Sequence, residues 1–189
     1  MKQRLTKQKI IQRATVMAGV IATLVGGLSA NTYAAADNAE ITITGKVMST
    51  TCTIDSKSAT QKVKLPDIVD RDIRGVGTTG GETKFDIILK DCGDAADNVI
   101  VTASGKSYSG ADDSVFANSL TDGADGVGMY LYQTDGKTKF KPNGNVKETS
   151  KLTRLADVTL TYKAAYVGTK DSVRGGDFST VVNMKFDYP

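Results

Sequence analysis

Phe178-Ser179-Thr180-Val181-Val182-Asn183-Met184-Lys185-Phe186-Asp187-Tyr188 is the most regular stretch of the chain. Its even-numbered residues Phe178, Thr180, Val182, Met184, Phe186 and Tyr188 alternate with Ser179, Asn183, Lys185 and Asp187. That period of two is the mark of a strand with one face turned to a core. A strand so long also presents a row of backbone donors and acceptors that needs a neighbour. The rest of the chain has to supply that neighbour or borrow it.

Upstream, the same period recurs in Ala39, Ile41 and Ile43, in Phe85, Ile87 and Leu89 (where Ile88 interrupts the polar side), and in Val99, Val101 and Ala103. It returns in Val127, Met129 and Leu131, and in Val158, Leu160, Tyr162, Ala164 and Tyr166. No stretch shows the 3.6-residue period of an amphipathic helix. Turn residues punctuate the runs at Pro66-Asp67, Gly75 to Gly81, Asp122-Gly123, Asp135-Gly136, Pro142-Asn143-Gly144 and Gly175-Gly176. Asp135-Gly136, between Met129–Tyr132 and Lys137–Phe140, predicts a tight two-residue hairpin. Short alternating strands separated by such turns predict one all-β antiparallel sandwich of about 150 residues.

The opening segment reads as an address. Lys2, Arg4, Lys7, Lys9 and Arg13 precede a short apolar run, Ala14 to Leu28, and small residues follow. This is the order of a secretory signal peptide over residues 1–36, with cleavage after Ala34 or Ala36; the alternative, an uncleaved anchor helix, would need a run of about 20 apolar residues. The chain of 189 residues has 24 basic and 21 acidic side chains; without the five basic residues of the leader, 19 stand against 21. The mature chain is therefore slightly acidic, which argues against nucleic acid and anionic membrane surfaces as partners. Export brings Cys52 and Cys92 into an oxidising compartment, so a disulfide is expected rather than a redox pair or metal ligands.

The absence of histidine removes the commonest general base and metal ligand, and two cysteines cannot form a four-thiolate site. Enzymatic activity and cofactors are not expected. Gly75-Val76-Gly77-Thr78-Thr79-Gly80 matches a dinucleotide fingerprint, but a strand pattern follows it where a helix N-terminus is needed. Asp112, Asp113, Asp122 and Asp125 crowd a stretch that could bind calcium, yet they lack the EF-hand order and suit polar turns. Lys137, Lys139 and Lys141 around Phe140 suit a solvated hairpin arm.

Several segments together carry a family resemblance: Gly45-Lys46-Val47 with Cys52-Thr53-Ile54-Asp55, Phe85 to Cys92, Gly126 to Leu131, Tyr162 to Tyr166, and Gly176-Asp177-Phe178 through Pro189. Over residues 37–189 the chain resembles the major pilin subunits of type 1, chaperone-usher fimbriae. The resemblance implies an immunoglobulin-like sandwich lacking its final strand, with residues 37–46 as an N-terminal donor-strand extension. Ala39, Ile41 and Ile43 would be the donor residues. Gly176, Phe178, Val182, Met184, Phe186 and Tyr188 would form the acceptor groove and the strand that a periplasmic chaperone grips. It further implies assembly at an outer-membrane usher into a head-to-tail homopolymer, an extracellular adhesive fimbria without membrane insertion of the mature subunit. The alternatives are a minor adaptor or tip subunit, and a self-complete secreted sandwich that binds carbohydrate or protein in its loops.

Overall fold

The computed structural model describes residues 40–189, so the leader, the Asp37-Asn38 start of the extension and Ala39 lie outside the described residues. The chain divides into two units at Thr44/Gly45. In the first, residues 40–44 adopt no regular structure, and Ile41 and Ile43 are 79% and 90% exposed. Everything below concerns the second unit, Gly45–Pro189.

Its eight strands are β1 (Thr53–Ile54), β2 (Thr79–Lys90), β3 (Asn98–Gly105), β4 (Phe116–Ala117), β5 (Val127–Tyr132), β6 (Asn143–Lys151), β7 (Val158–Gly168) and β8 (Val182–Asp187). Helix is confined to a turn at Ser56–Ala59 and a 3-10 turn at Asp70–Ile73. One sheet has the order β1-β2-β7-β5-β4 and the other β6-β3-β8, with every pairing antiparallel. The two sheets share one core. Ile87 and Leu89 of β2, Met129 and Leu131 of β5, and Leu160 and Tyr162 of β7 meet Val99, Val101 and Ala103 of β3. These are the residues at the inward phase of the alternation, which is why the sequence pattern locates them. Tyr162 is central, with ring centroids 5.9 Å from Phe85 and 6.1 Å from Phe140.

β5 departs from simple alternation because it is buried on both faces. Its outward Tyr130 and Tyr132 join Val115, Ala165 and Val167 in a second cluster, against which Tyr108 packs. The Tyr130 hydroxyl donates to the Asp112 carboxylate, and burial first, then that carboxylate, raises the phenol far above its ordinary value.

Two local expectations are corrected. The Asp135-Gly136 turn is wider than two residues: Gln133 N–H donates to Thr138 O at 2.8 Å, and Gly136 N–H donates back to Gln133 O at 2.9 Å. The Asp135 carboxylate accepts from the backbone N–H groups of Lys137 and Thr138, at 2.8 Å each, and so offers the chain a local turn in place of a ladder. The last strand is also shorter than its alternation. Residues 177–179 bond to the 118–124 loop, with Ser119 N–H donating to Ser179 O at 2.7 Å and Ala124 N–H to Asp177 O at 2.8 Å. Pairing with β3 begins only at Val182.

Cys52 and Cys92 form the expected disulfide, tying the residue before β1 to the end of β2 across a separation of 40 residues. The ends of the sandwich follow from the registers. Thr53 pairs with Lys90 and Ile100 with Asp187 at the disulfide end, while Thr79 pairs with Val167 and Gly105 with Val182 at the other. β8 therefore runs toward the disulfide end.

Candidate functional site

β8 is the terminal strand of its sheet, bonded on one side to β3 and on the other to no strand among the described residues. Beside that free edge lies a cleft of about 760 Å³. One wall is Phe178, Thr180, Val182, Met184 and Phe186; the other is Ile54 with the segment 58–65; the floor holds Phe85, Ile87, Met129, Leu131, Ala164 and Tyr166. From Phe178 to Phe186 the cleft runs about 26 Å, at roughly 3.3 Å per extended residue.

Burial along the wall shows what is missing. Each of Phe178, Thr180, Val182, Met184, Phe186 and Tyr188 is half-buried and none is fully buried, while Ser179, Val181, Asn183 and Lys185 between them are exposed. Phe178, Val182, Met184, Phe186 and Tyr188 all pack against the core, and all but Tyr188 line the cleft with part of their apolar surface still uncovered. The strands opposite complete their burial, Val101 and Ala103 of β3 being at 0% and 1% exposure. The longest run of incompletely buried core side chains thus lies along this line. Uncovered apolar surface forfeits about 25 cal/mol per Å², and unpaired strand edges invite another strand.

Gly176 stands where the chain enters this wall. A Cβ there would come within 2.8 Å of Ala124 N and 2.9 Å of Gly123 C, so no side chain fits between the two backbones. Ion pairs brace the same end, with Lys170 bonding Asp125 at 2.8 Å, and the Asp125 and Arg174 backbones bridge each other. A second cleft of about 450 Å³, lined by Ile68, Ile73, Val127 and Val173, shares Asp67, Tyr166, Gly176, Asp177 and Phe178 with the first and so continues it past Gly176.

Charge is kept to the rim. Lys62, Lys64, Asp67 and Asp177 are exposed, and the floor carries no ionisable group but Tyr166, whose phenol is raised by burial and further by the Asp67 charge. Burial likewise raises the Tyr188 phenol at the far end. Both stay neutral at physiological pH. Near the wall opposite β8, a hydrogen bond from Lys90 holds the Asp55 carboxyl below its ordinary value and pins β1 to β2 at 2.7 Å. An apolar floor, a charged rim and one free strand edge suit an extended peptide whose alternate side chains are apolar.

The structure places the other candidate residues elsewhere. Gly75 to Gly80 leads straight into β2 with no helix behind it, so the geometry that would hold a pyrophosphate is absent there. Of the crowded aspartates, Asp112 accepts from Ser114 N–H at 2.9 Å, Asp113 pairs with Lys141 at 2.7 Å, and Asp125 pairs with Lys170. Lys139 lies 3.3 Å over the Tyr130 ring, beside its isolated bridge to Tyr132. The wall opposite β8, formed by Ile54 and the 58–65 segment, was missed in the sequence. Its signal is Lys62-Val63-Lys64-Leu65, where half-buried Val63 and Leu65 alternate with exposed lysines.

Comparison with known proteins agrees with this architecture. A family model described as "Fimbrial protein" matches residues 41–189. The laminin-binding fimbrial subunit ElfA of Escherichia coli O157:H7 is 30% identical over 173 residues, covering 85% of this chain and 91% of that one. Among solved structures, the Burkholderia pseudomallei antigen and type I fimbria protein BPSL1626 is 27% identical with a TM-score of 0.54, covering 74% of this chain and 90% of that one. The P pilus rod subunit PapA, at 20% identity, shares the fold with a TM-score of 0.62 over 73% of this chain and 99% of its own.

Proposed function

The chain belongs to the fimbrial protein family, and from that premise we propose that it is a structural subunit of an adhesive surface fimbria whose open cleft is filled by the extension of a neighbouring copy. The observation that carries this reading is the half-buried even face of β8 beside an edge with no strand on it. Before assembly, a periplasmic chaperone lends its own strand to the cleft; at an outer-membrane usher, the extension of the next subunit replaces it. The final fibre is extracellular.

Ile41 and Ile43 are the donor side chains with the most to gain, since both are exposed in the isolated chain. Their burial contributes about 3 to 6 kcal/mol by area, and each new main-chain bond adds about 1 kcal/mol net. The odd phase of Ala39, Ile41 and Ile43 continues through Gly45 to Val47, which is 99% exposed. The donor strand therefore extends one apolar step beyond residue 46, toward the second cleft. Every pairing in both sheets is antiparallel, and an antiparallel donor runs from Tyr188 toward Phe178 and leaves at the Gly176 end. The donor body then lies beyond the acceptor and leaves its own cleft free, so the contact never closes on itself and yields filaments.

The test is a mature chain lacking residues 37–48, melted with and without a synthetic peptide of those residues. The peptide raises the melting temperature of the truncated chain and co-purifies with it, and the truncated chain alone forms no fibres. Identical melting with and without peptide would refute the reading.

A further inference from the structure

Outside the cleft, each end of the sandwich carries exposed aliphatic side chains. At the disulfide end, Leu155 is 77% exposed with φ at 56°, a left-handed conformation that is unusual for a bulky residue. The turn is held in place: Leu155 N–H donates to Cys92 O at 3.1 Å, and Arg154 pairs with Asp97 at 2.6 Å. Met48, 49% exposed, is at the same end, because the following Ser49 accepts from Ala95 N–H at 3.0 Å and donates to Asp94. At the opposite end, Leu120 is 43% and Val181 66% exposed. They are neighbours through the Ser119–Ser179 bond, and Val181 lines the mouth of the cleft. A left-handed backbone at a bulky residue costs free energy, and such outliers cluster where a contact or a function holds them.

We infer that Leu155, with Met48, packs on Leu120 and Val181 of the next copy, as a second contact between successive subunits beyond the donor strand. This rests on the donor-strand reading. With an antiparallel donor, the inserted extension leaves its acceptor at the Gly176 end, beside Leu120 and Val181. From Ile43 to the anchored Ser49 are six Cα steps, a reach of about 22 Å at most. The disulfide end of each donor is therefore held against that end of its acceptor. A tether so short confers an effective concentration in the millimolar range, so a contact too small to pair free subunits forms once the strand is in place. The contact limits bending between neighbours and gives the fibre its stiffness.

The test uses full-length chains assembled into fibres, comparing Leu155→Asn, Val181→Ser and the double substitution. Asparagine tolerates a positive φ, so Leu155→Asn leaves the melting temperature of the peptide-complemented subunit unchanged or raised. Fibres of each single variant bend more, with a persistence length in electron micrographs at least twofold shorter, and the double variant is no more flexible than either single one. Loss of fibres with peptide capture intact also supports the contact. Unchanged persistence length in all three variants refutes it, even where fibres form and peptide is captured normally. Failure of the truncated wild-type chain to capture donor peptide refutes the donor-strand reading instead.

Discussion

Replacing Ile43 by aspartate perturbs a side chain that is 90% exposed in the isolated subunit, so the fold of that subunit loses almost nothing. On the donor-strand reading proposed above, the same side chain would sit in the fibre over the floor that Ile87, Met129 and Leu131 form. The wild-type isoleucine gains about 1.5 to 3 kcal/mol from full burial. The aspartate forfeits that gain and adds a desolvation cost of about 1 to 3 kcal/mol or more, because the floor offers it no cation. The combined loss of roughly 2.5 to 6 kcal/mol corresponds to a donor affinity lower by about two to four powers of ten. Lys62 and Lys64 lie on the exposed rim of the opposite wall and can recover part of this only if the strand is pulled outward. The assay is depolymerisation of purified fibres in guanidinium chloride, followed by sedimentation or light scattering, alongside melting of the untruncated monomer that carries the same change and has its cleft filled by added wild-type donor peptide. The variant fibre dissociates at least a hundredfold faster while the complemented subunit, whose cleft holds wild-type peptide, melts as before. Equal dissociation rates for Ile43→Asp and wild-type fibres would refute the placement of residue 43 in the cleft.

Two further outcomes follow from the body of the subunit. Substituting both Cys52 and Cys92 by serine releases a closed loop of 40 residues, worth about 4 kcal/mol by chain entropy; calorimetry of the peptide-complemented subunit reads this as a fall of roughly 8 to 16 °C in melting temperature, and a fall under 3 °C would contradict it. Asp55, Asp94 and Asp125 are held below their ordinary value of 3.8 by hydrogen bonds from Lys90, Lys46 and Lys170. A depressed folded value means that their contribution is complete above pH 3.8 and disappears as the pH falls through the lowered values. With no histidine in the chain, melting temperature is flat from about pH 5 to 8 and declines only below about 4; a transition centred near pH 6 would show that some other group governs stability.

Local chemistry made most of the body legible. Inward and outward positions alternate along any strand, so Ile87, Leu89, Val99, Val101, Leu160 and Tyr162 could be assigned to the core one strand at a time, without knowing which strands are neighbours. The cysteine pairing followed from compartment and count. What alternation misses is whatever depends on side-chain competition or on loops folding back. Asp135 captures its own turn and widens it, Asn118 and its loop capture residues 177–179 and shorten β8, and the 108–115 segment covers the outer face of β5.

The even face of residues 178–188, the alternation of Ile41 and Ile43 and the leader-like charge order are visible in the amino acids because each is a pattern within a dozen neighbouring positions. That β8 is the last strand of its sheet, that Val63 and Leu65 stand across from it, and that Leu155 shares an end with the root of the extension are facts of strand order. Strand order is set by pairings between residues dozens of positions apart, such as Ala103 with Met184, and no local period encodes which edge will be left without a partner.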